Sequence, residues 1–159
     1  MPATKLKQFL DANGVRYLSI QHSPAFTAQE IAAAAHIPGR EVAKTVMVNL
    51  DDTMAMAVLS ATRKLDRDLL EGAAGARHAT LATEKEFRDK FPDCELGAMP
   101  PFGNLYGMKV YVDEMLVEDE FIAFNAGSHA ELIQMKYEDF ARLVQPTVAR
   151  LAFALKAYA

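Results

Sequence analysis

The clearest structural signal in this chain is the sequence KTVMVNLDDTMAMAVL at residues 44–59. It contains two short apolar runs, residues 44–50 and 54–59, which are separated by the polar link Asp51-Asp52-Thr53. Two such runs joined by a short polar link are typical of an antiparallel hairpin. The sequence therefore predicts two paired strands, with Lys44 at the mouth of the sheet that they form.

Other elements are predicted on both sides of this hairpin. The helical spacing of Leu6, Phe9 and Leu10 predicts a first helix. Thr27 and Thr83 are each followed three residues later by glutamate, which is the pattern of a capping box at the start of a helix. The complete prediction places helices at 4–13, 28–35, 63–70, from Thr83 to about Phe91, 137–143 and 147–157, and further strands at 15–21, 76–82, 109–112, 121–125 and 132–135.

The mixture of helices and strands, with hairpin-length links among the strands, predicts an α+β fold with a mainly antiparallel or mixed sheet. The chain has no internal repeat, low-complexity tract or linker, so residues 1–159 are expected to form a single domain. A content of 51% hydrophobic and 24% charged residues is typical of a globular protein. No apolar stretch is long enough to cross a bilayer and the N-terminus lacks a signal peptide, so we expect a cytoplasmic protein without a membrane partner.

The net charge of −4 is unevenly spread along the chain. Residues 1–110 contain 13 Lys and Arg and 13 Asp and Glu, whereas residues 111–159 contain 4 and 8. An acidic chain is poorly suited to coating nucleic acid, so no DNA partner is expected, but a single-stranded RNA end needs only a few placed contacts. Charge blocks usually face water, which predicts a solvated hairpin end for Asp113, Glu114, Glu118, Asp119 and Glu120.

The sequence GAMPPFG at residues 97–103 combines two glycines with two adjacent prolines. Glycine opens backbone angles that other residues avoid, and proline fixes its own torsion and removes an amide donor. The result is a rigid loop that could direct the N–H groups of Ala98 and Met99 into a cavity as a preorganised oxyanion site. Gly and Pro clusters are also ordinary turn signals, so a plain connecting loop is the alternative.

Lys44 is the first candidate for chemistry because it stands between Ala43 and the apolar strand Val46-Met47-Val48. A lysine held on a stiff strand presents a compact positive charge to a phosphate or carboxyl oxygen. The alternative is an edge-strand lysine that keeps its ammonium in water and prevents aggregation.

His129 is the second candidate, in the turn Ala126-Gly127-Ser128-His129 that follows an apolar strand. An imidazole titrates near neutral pH, so it could donate a hydrogen bond to a substrate or transfer a proton. The alternative is a structural histidine that bonds a backbone carbonyl.

Three segments follow one another along the chain: the lysine that opens residues 43–48, the Gly97-x-x-x-Pro101 loop and the turn at residues 126–129. With His22-Ser23-Pro24 and the closing segment Tyr137-Glu138-Asp139-Phe140, they resemble the YbaK and prolyl-tRNA synthetase-associated editing domain family over nearly the whole chain. The resemblance implies a strongly curved, nearly barrel-like sheet surrounded by helices. It also implies hydrolysis of wrongly charged aminoacyl-tRNA, with water as the nucleophile and help from the free hydroxyl of the terminal ribose.

The resemblance further implies roles for particular residues of this chain. Lys44, Gly97 and His129 would be catalytic, with Lys44 holding a phosphate or the acyl carbonyl and Gly127 with His129 closing the pocket. A narrow apolar pocket of Met99, Met47 and Pro100 would admit alanine or another small residue. The implied substrate-binding residues are Thr45, Met47, Ala98, Met99, Pro100, Pro101, Gly127 and Ser128.

The implied partner is a mischarged tRNA, bound through its 3′-terminal adenosine and most simply a tRNA for proline, and a synthetase is a second implied partner. Two other functions fit the sequence: a non-catalytic module of the same fold that recognises tRNA ends or a synthetase, and a hydrolase of free small-molecule esters. The histidines and the one cysteine lack zinc spacing and no nucleotide-binding motif occurs, so neither a metal nor a cofactor is expected. A nucleophilic Cys94 or Ser128 has no supporting pattern.

Overall fold

The computed structural model describes residues 3–25 and 27–155, in which short helices alternate with strands. The five α-helices of these ranges are α1 Thr4–Ala12, α2 Ala28–Ala35, α3 Arg67–Ala74, α4 Glu84–Phe87 and α5 Tyr137–Val144. The ten strands of the same ranges are β1 Tyr17–Gln21, β2 Ala43–Leu50, β3 Thr53–Ser60, β4 Arg63–Leu65, β5 Ala79–Leu81, β6 Val110–Asp113, β7 Phe121–Asn125, β8 Glu131–Lys136, β9 Thr147–Ala149 and β10 Ala152–Ala154.

The strands form three sheets, and the predicted α+β fold with a mixed, mainly antiparallel arrangement is confirmed. The largest has the order β5-β2-β3-β6-β9, in which β2 is antiparallel to β3 and β5, while β6 is parallel to β3 and β9. The second is the antiparallel sheet β1-β8-β7, and the third pairs β10 with β4. A single parallel bridge between Val42 and Ala123 links the first two sheets. Over the described ranges no sheet closes on itself, so the nearly barrel-like shape is not confirmed.

The predicted hairpin is present as β2 and β3, and its side chains alternate between two apolar cores. Residues on one face, including Ala43 and Met47, pack into the main core. Residues on the other face, including Val48 and Leu50, pack into a second core with Leu70 of α3. This period of two follows from the pleat of the strand, and it makes the hairpin the wall between the two cores.

Phe102 anchors the loop of residues 97–103 in the main core. Its side chain is fully buried, and its ring centroid lies 5.4 Å from those of both Phe124 and Phe140. At Gly103 a Cβ would lie only 2.5 Å from a backbone oxygen, so no other residue fits there without a shift of the chain. The C-terminal end of the loop is therefore fixed by packing, and its N-terminal end is free to form part of a site.

One predicted helix begins too early, and another is wrong. Residues 63–70 begin as β4, and the helix starts only after Asp66, whose side chain accepts hydrogen bonds from the N–H groups of Asp68 and Leu69. Residues 147–154 form β9 and β10 instead of a helix, and residues 156–157 of that prediction lie outside the described part of the chain. Long-range pairing with β6 and β4 overrides the local helical pattern there.

Both predicted capping boxes are present, and the second supplies a test of the fold. The Thr83 hydroxyl accepts from the Glu86 N–H at 3.2 Å, and the Glu86 carboxylate accepts from the Thr83 N–H at 2.9 Å. We expect Thr83→Ala to lower the free energy of unfolding by about 1 kcal/mol in urea titrations, because the Glu86 N–H loses its side-chain acceptor and keeps only the Thr83 carbonyl. Thr83→Ser keeps the hydroxyl and is the matched control, and equal losses in the two variants would contradict this role.

Candidate active site

A cavity of about 190 Å³ lies where the start of β2, the loop of residues 97–103 and the end of β7 meet. Sites that hold drug-sized ligands usually measure several hundred Å³, so this cavity suits a small group and not a whole nucleotide. Its wall has an apolar part from α2, the chain before β2 and the loop, and a polar part from β2 and β7. The lining residues are Ile31, Val42, Ala43, Lys44, Thr45, Gly97, Met99 and Asn125.

Lys44 is half-buried and borders this cavity and a second hollow on the other side of β2. Strand alternation places it on the face of Val46, opposite Thr45 and Met47. Burial lowers the pKa of Lys44, and the nearby charge of Lys64 lowers it further. No carboxylate of residues 3–25 or 27–155 forms an ion pair with Lys44. A partly desolvated ammonium without a counter-ion is suited to binding an anion.

The loop of residues 97–103 meets the cavity through Gly97 and Met99. Gly97 has φ +86°, a left-handed conformation that favours glycine. The N–H of Ala98 donates to the carbonyl of Glu95 at 3.0 Å, so this amide is engaged and the predicted use of Ala98 as an oxyanion donor is wrong. The N–H groups of Gly97 and Met99 make no hydrogen bond within the described part of the chain.

The turn of residues 126–129 clamps this loop from the other side. The N–H of Gly127 donates to the carbonyl of Ala98 at 3.0 Å, and the carbonyl of Gly127 accepts from the N–H of Glu95 at 2.7 Å. The Glu95 carboxylate accepts in turn from the N–H of His129 at 2.8 Å. Ser128 is used locally, because its hydroxyl oxygen accepts from the N–H of Ala130 at 3.1 Å. These bonds hold the two glycine-containing segments in one fixed arrangement.

The His129 ring supports the loop from outside the cavity. Its Nε2 lies 2.8 Å from the carbonyl oxygen of Leu96, which can only accept, so Nε2 carries a proton and donates. A Cβ built on Gly97 would lie 3.6 Å from His129 Cε1, which places the imidazole against that glycine. This contact is the one that the structural alternative for His129 predicts, while its catalytic role stays a proposal.

The structure separates the predicted site residues into two groups. Lys44, Thr45, Gly97 and Met99 line the cavity. Met47 packs in the main core, and the wall expected from Met47 and Pro100 is formed instead by other apolar side chains. The predicted site residues outside the lining are Met47, Ala98, Pro100, Pro101, Gly127, Ser128 and His129.

Asn125 lines the cavity but is not among the site residues predicted from the sequence. The same is true of the apolar wall residues Ile31 and Val42. Asn125 ends β7, and its Oδ1 is buried without a hydrogen-bond partner in the described ranges. A buried acceptor without a donor is costly, so this oxygen is suited to accept an N–H or O–H from a ligand. The available signal was a polar residue at the end of an apolar strand, directly before Ala126-Gly127.

The surroundings of Cys94 do not favour a nucleophilic role. Burial raises the pKa of the Cys94 thiol to about 11, which keeps it protonated, and its sulfur lies 3.6 Å from the Tyr106 hydroxyl and away from the cavity lining. Over residues 3–25 and 27–155 no three His, Cys, Asp or Glu side chains converge as a metal site would require. In the same ranges, no helix combines the length and apolarity that a membrane span needs.

Residues 22–143 match the aminoacyl-tRNA editing domain family, and these residues include every element that forms the cavity. Because the match covers well over half of the sequence, the chain belongs to this family. The resemblance that the lysine, the loop and the 126–129 turn indicated is thereby confirmed.

Two curated relatives, from Escherichia coli strain K12 and Escherichia coli O157:H7, are each called multifunctional Ser/Thr-tRNA deacylase ProXp-y. Each is 37% identical over 93 residues, which cover 57% of this chain and 54% of the relative, so the chain spans about half the length of these proteins. A solved structure of a candidate trans-editing enzyme for prolyl tRNA synthetase has a TM-score of 0.81 and 21% identity, over 96% of this chain and 97% of that one. The structure of a hypothetical protein has a TM-score of 0.84 and 19% identity, over 94% and 99%. Both structures support the fold.

Proposed function

We propose that this chain hydrolyses the ester bond of mischarged aminoacyl-tRNA, with water as the nucleophile and a small amino acid as the acyl group. The observation that carries the proposal is the cavity of about 190 Å³, whose lining combines the half-buried Lys44 and the polar Asn125 with an apolar wall. Membership of the editing family and the deacylase activity named for the Escherichia coli relatives support it.

In this proposal the ester carbonyl lies between Lys44 and the loop that begins at Gly97. Lys44 holds the carbonyl oxygen or the phosphate of the terminal adenosine, and the N–H groups of Gly97 and Met99 stabilise the oxyanion as it forms. Preorganised donors of this kind need no reorganisation when charge develops, which makes them effective without a general base. His129 acts by holding Gly97 in place, and the hydroxyl of the terminal ribose orients the water.

The acyl side chain faces Ile31, Val42 and Met99, which leave room for a small residue only. A synthetase discriminates poorly against a smaller amino acid, since one methylene is worth roughly 1–3 kcal/mol, so a second small pocket restores accuracy. In this proposal the amino acid is carried by a tRNA for proline, and a synthetase is an auxiliary partner. The sheet is strongly curved, and the protein acts in the cytoplasm.

A direct test is the release of amino acid from tRNA for proline charged with alanine, serine, threonine or cysteine. We expect release from at least one of these substrates and much slower release from the same tRNA charged with proline, whose ring is bulkier and more rigid than the alanine or serine side chain. Aminoacyl esters without the adenosine should react far more slowly, because binding of the nucleotide supplies part of the rate. Binding of all charged tRNAs without any release would instead identify a non-catalytic module.

Asn125 makes a second prediction, which concerns the α-ammonium of the amino acid. The ammonium is present in every charged tRNA, and Oδ1 of Asn125 is a buried acceptor without a hydrogen-bond partner among the described residues. We expect Asn125→Ala to lower kcat/KM by roughly 10- to 100-fold for every amino acid, since a hydrogen bond to a charged group is worth about 1.5–3 kcal/mol. Steady-state kinetics with alanyl and seryl tRNA check this, and a loss confined to the hydroxylated amino acid would assign Asn125 to the side chain instead.

A further inference from the structure

A second hollow, of about 590 Å³, lies on the opposite face of β2 from the cavity of about 190 Å³, which we call the central cavity. Lys44 lines both. We call the second one the Lys64 hollow. It is bounded by the start of β2, the connection from β4 to α3, and the edge strand β5. Its lining residues are Lys44, Val46, Lys64, Leu65, Arg67, Thr80 and Leu81.

The charge of the Lys64 hollow is opposite to that of the whole chain. Its lining has three cationic residues, Lys44, Lys64 and Arg67, and no carboxylate, whereas the chain has a net charge of −4. Lys64 and Arg67 are exposed, and none of the three forms an ion pair within the described ranges. The nearby Asp66 is directed to two N–H groups at the start of α3. Three cations without counter-ions at one hollow attract an anion.

The same hollow offers apolar surface beside the cations. Leu81 is 57% exposed at the edge of the large sheet, and Val46 and Leu65 lie partly exposed nearby. The Thr80 hydroxyl adds a neutral donor and acceptor. Single-stranded nucleic acid suits this combination, because its phosphates follow a cationic groove while the apolar faces of its unpaired bases can contact aliphatic side chains.

We propose that the Lys64 hollow binds the unpaired 3′ end of the tRNA, the nucleotides that precede the terminal adenosine. Their phosphates contact Lys64 and Arg67, and one base packs on Leu81. The terminal nucleotide passes Lys44, which belongs to both hollows, and places its ester in the central cavity. This inference rests on the proposed function for the position of the ester. The positive charge of the hollow is complementary to the phosphates of RNA, which is why we choose the tRNA end as its ligand.

The first test measures binding of a ten-nucleotide single-stranded RNA that ends in CCA and carries no amino acid, so it does not depend on hydrolysis. We expect the variant Lys64→Gln with Arg67→Gln to bind this RNA roughly tenfold more weakly. The slope of log affinity against log salt concentration should fall by about 1.4, because each lost contact with a single-strand phosphate removes about 0.7. Both residues are exposed and unpaired, so the melting temperature should stay close to that of the unaltered protein.

The matched control is Lys109→Gln, an exposed cation just before β6, on the opposite side of β2 from β5. It should leave the affinity and the salt slope unchanged. A blunt RNA duplex of the same length should bind more weakly than the single strand. Unchanged affinity in the double variant, or equal binding of the duplex, would overturn the proposal.

A second test separates this inference from the proposed function. In the double variant, the ratio of kcat/KM for charged tRNA to kcat/KM for a single aminoacyl-adenosine should fall roughly tenfold, since the short substrate does not reach the hollow. Absence of hydrolysis with RNA binding that still depends on Lys64 and Arg67 would reject the deacylase and retain the binding site. Hydrolysis with an unchanged ratio of the two kcat/KM values would retain the deacylase and reject the binding site.

Discussion

Lys44→Met is expected to lower kcat/KM for mischarged tRNA by roughly 100- to 1000-fold, the range found when one preorganised donor to an oxyanion is removed. Methionine has nearly the length of lysine and keeps the packing beside Val46 while removing the charge. Lys44 has no ion pair in the described residues, so its replacement leaves no buried carboxylate unpaired and the fold should be retained. The measurement is single-turnover release of the amino acid, with the melting temperature determined on the same samples.

Two comparisons make this prediction specific to the ammonium of Lys44. Lys109→Gln should keep full activity, and Lys44→Arg should recover only part of it, because a guanidinium is wider and binds in a different geometry. Burial lowers the pKa of Lys44, so RNA affinity should begin to fall with rising pH below the ordinary lysine value of 10.5. Lys44→Met should lack this alkaline loss. Full hydrolysis by a folded Lys44→Met protein would remove Lys44 from the mechanism.

Local sequence patterns were sufficient to predict the elements that are determined by neighbouring residues. The hairpin of β2 and β3 follows from two apolar runs and a polar link, and the starts of α2 and α4 follow from their capping boxes. Strands β9 and β10 could not be predicted in this way, because their partners β6 and β4 lie at least 34 residues away in the chain. Nothing within residues 147–154 indicates that such partners exist.

The site residues that could be predicted are those whose type is unusual for their place in the sequence. Lys44 stands out as a charge beside an apolar strand, Gly97 stands out in a loop rich in glycine and proline, and both line the cavity. Ile31 and Val42 look like any core residue, so only the packing of α2 against the start of β2 shows that they form its wall. The direction of the Ala98 N–H depends on the turn that begins at Glu95, which composition does not specify.

The acidic run that begins at the end of β6 contains residues with different environments. Glu114, Glu118 and Glu120 are exposed, as predicted, but Asp113 is fully buried and Asp119 is partly buried, so the prediction is wrong for these two. Asp113 ends β6, and alternation along that strand directs it inward, towards β4 and the C-terminal strands. Sequence composition assigned it to a charge block, while its position in the strand determines its environment.

Asp113→Ala is therefore expected to lower the free energy of unfolding by about 3–5 kcal/mol, the usual cost of leaving a buried charge without its partner. Asp113 Oδ2 lies 3.0 Å from Arg63 Nε, and its Oδ1 accepts from the N–H of Leu151 at 2.9 Å. The Arg63 guanidinium is only 16% exposed and also donates to the carbonyl of Ala152 at 2.6 Å. The pair thus joins β4, β6 and the segment between β9 and β10.

Chemical denaturation of three variants would separate the charge from the packing. Asp113→Asn should lose less than Asp113→Ala, because its amide oxygen still accepts from Leu151. The double variant Arg63→Met with Asp113→Leu should recover most of the stability, since a well-packed apolar pair often replaces a buried ion pair without loss. A loss below about 1 kcal/mol in Asp113→Ala would show that water reaches Arg63 in solution. Lys64 lies within β4 and Arg67 begins α3, so a weakened Arg63–Asp113 pair should also reduce RNA affinity. This effect would connect the stability of the buried pair to the Lys64 hollow.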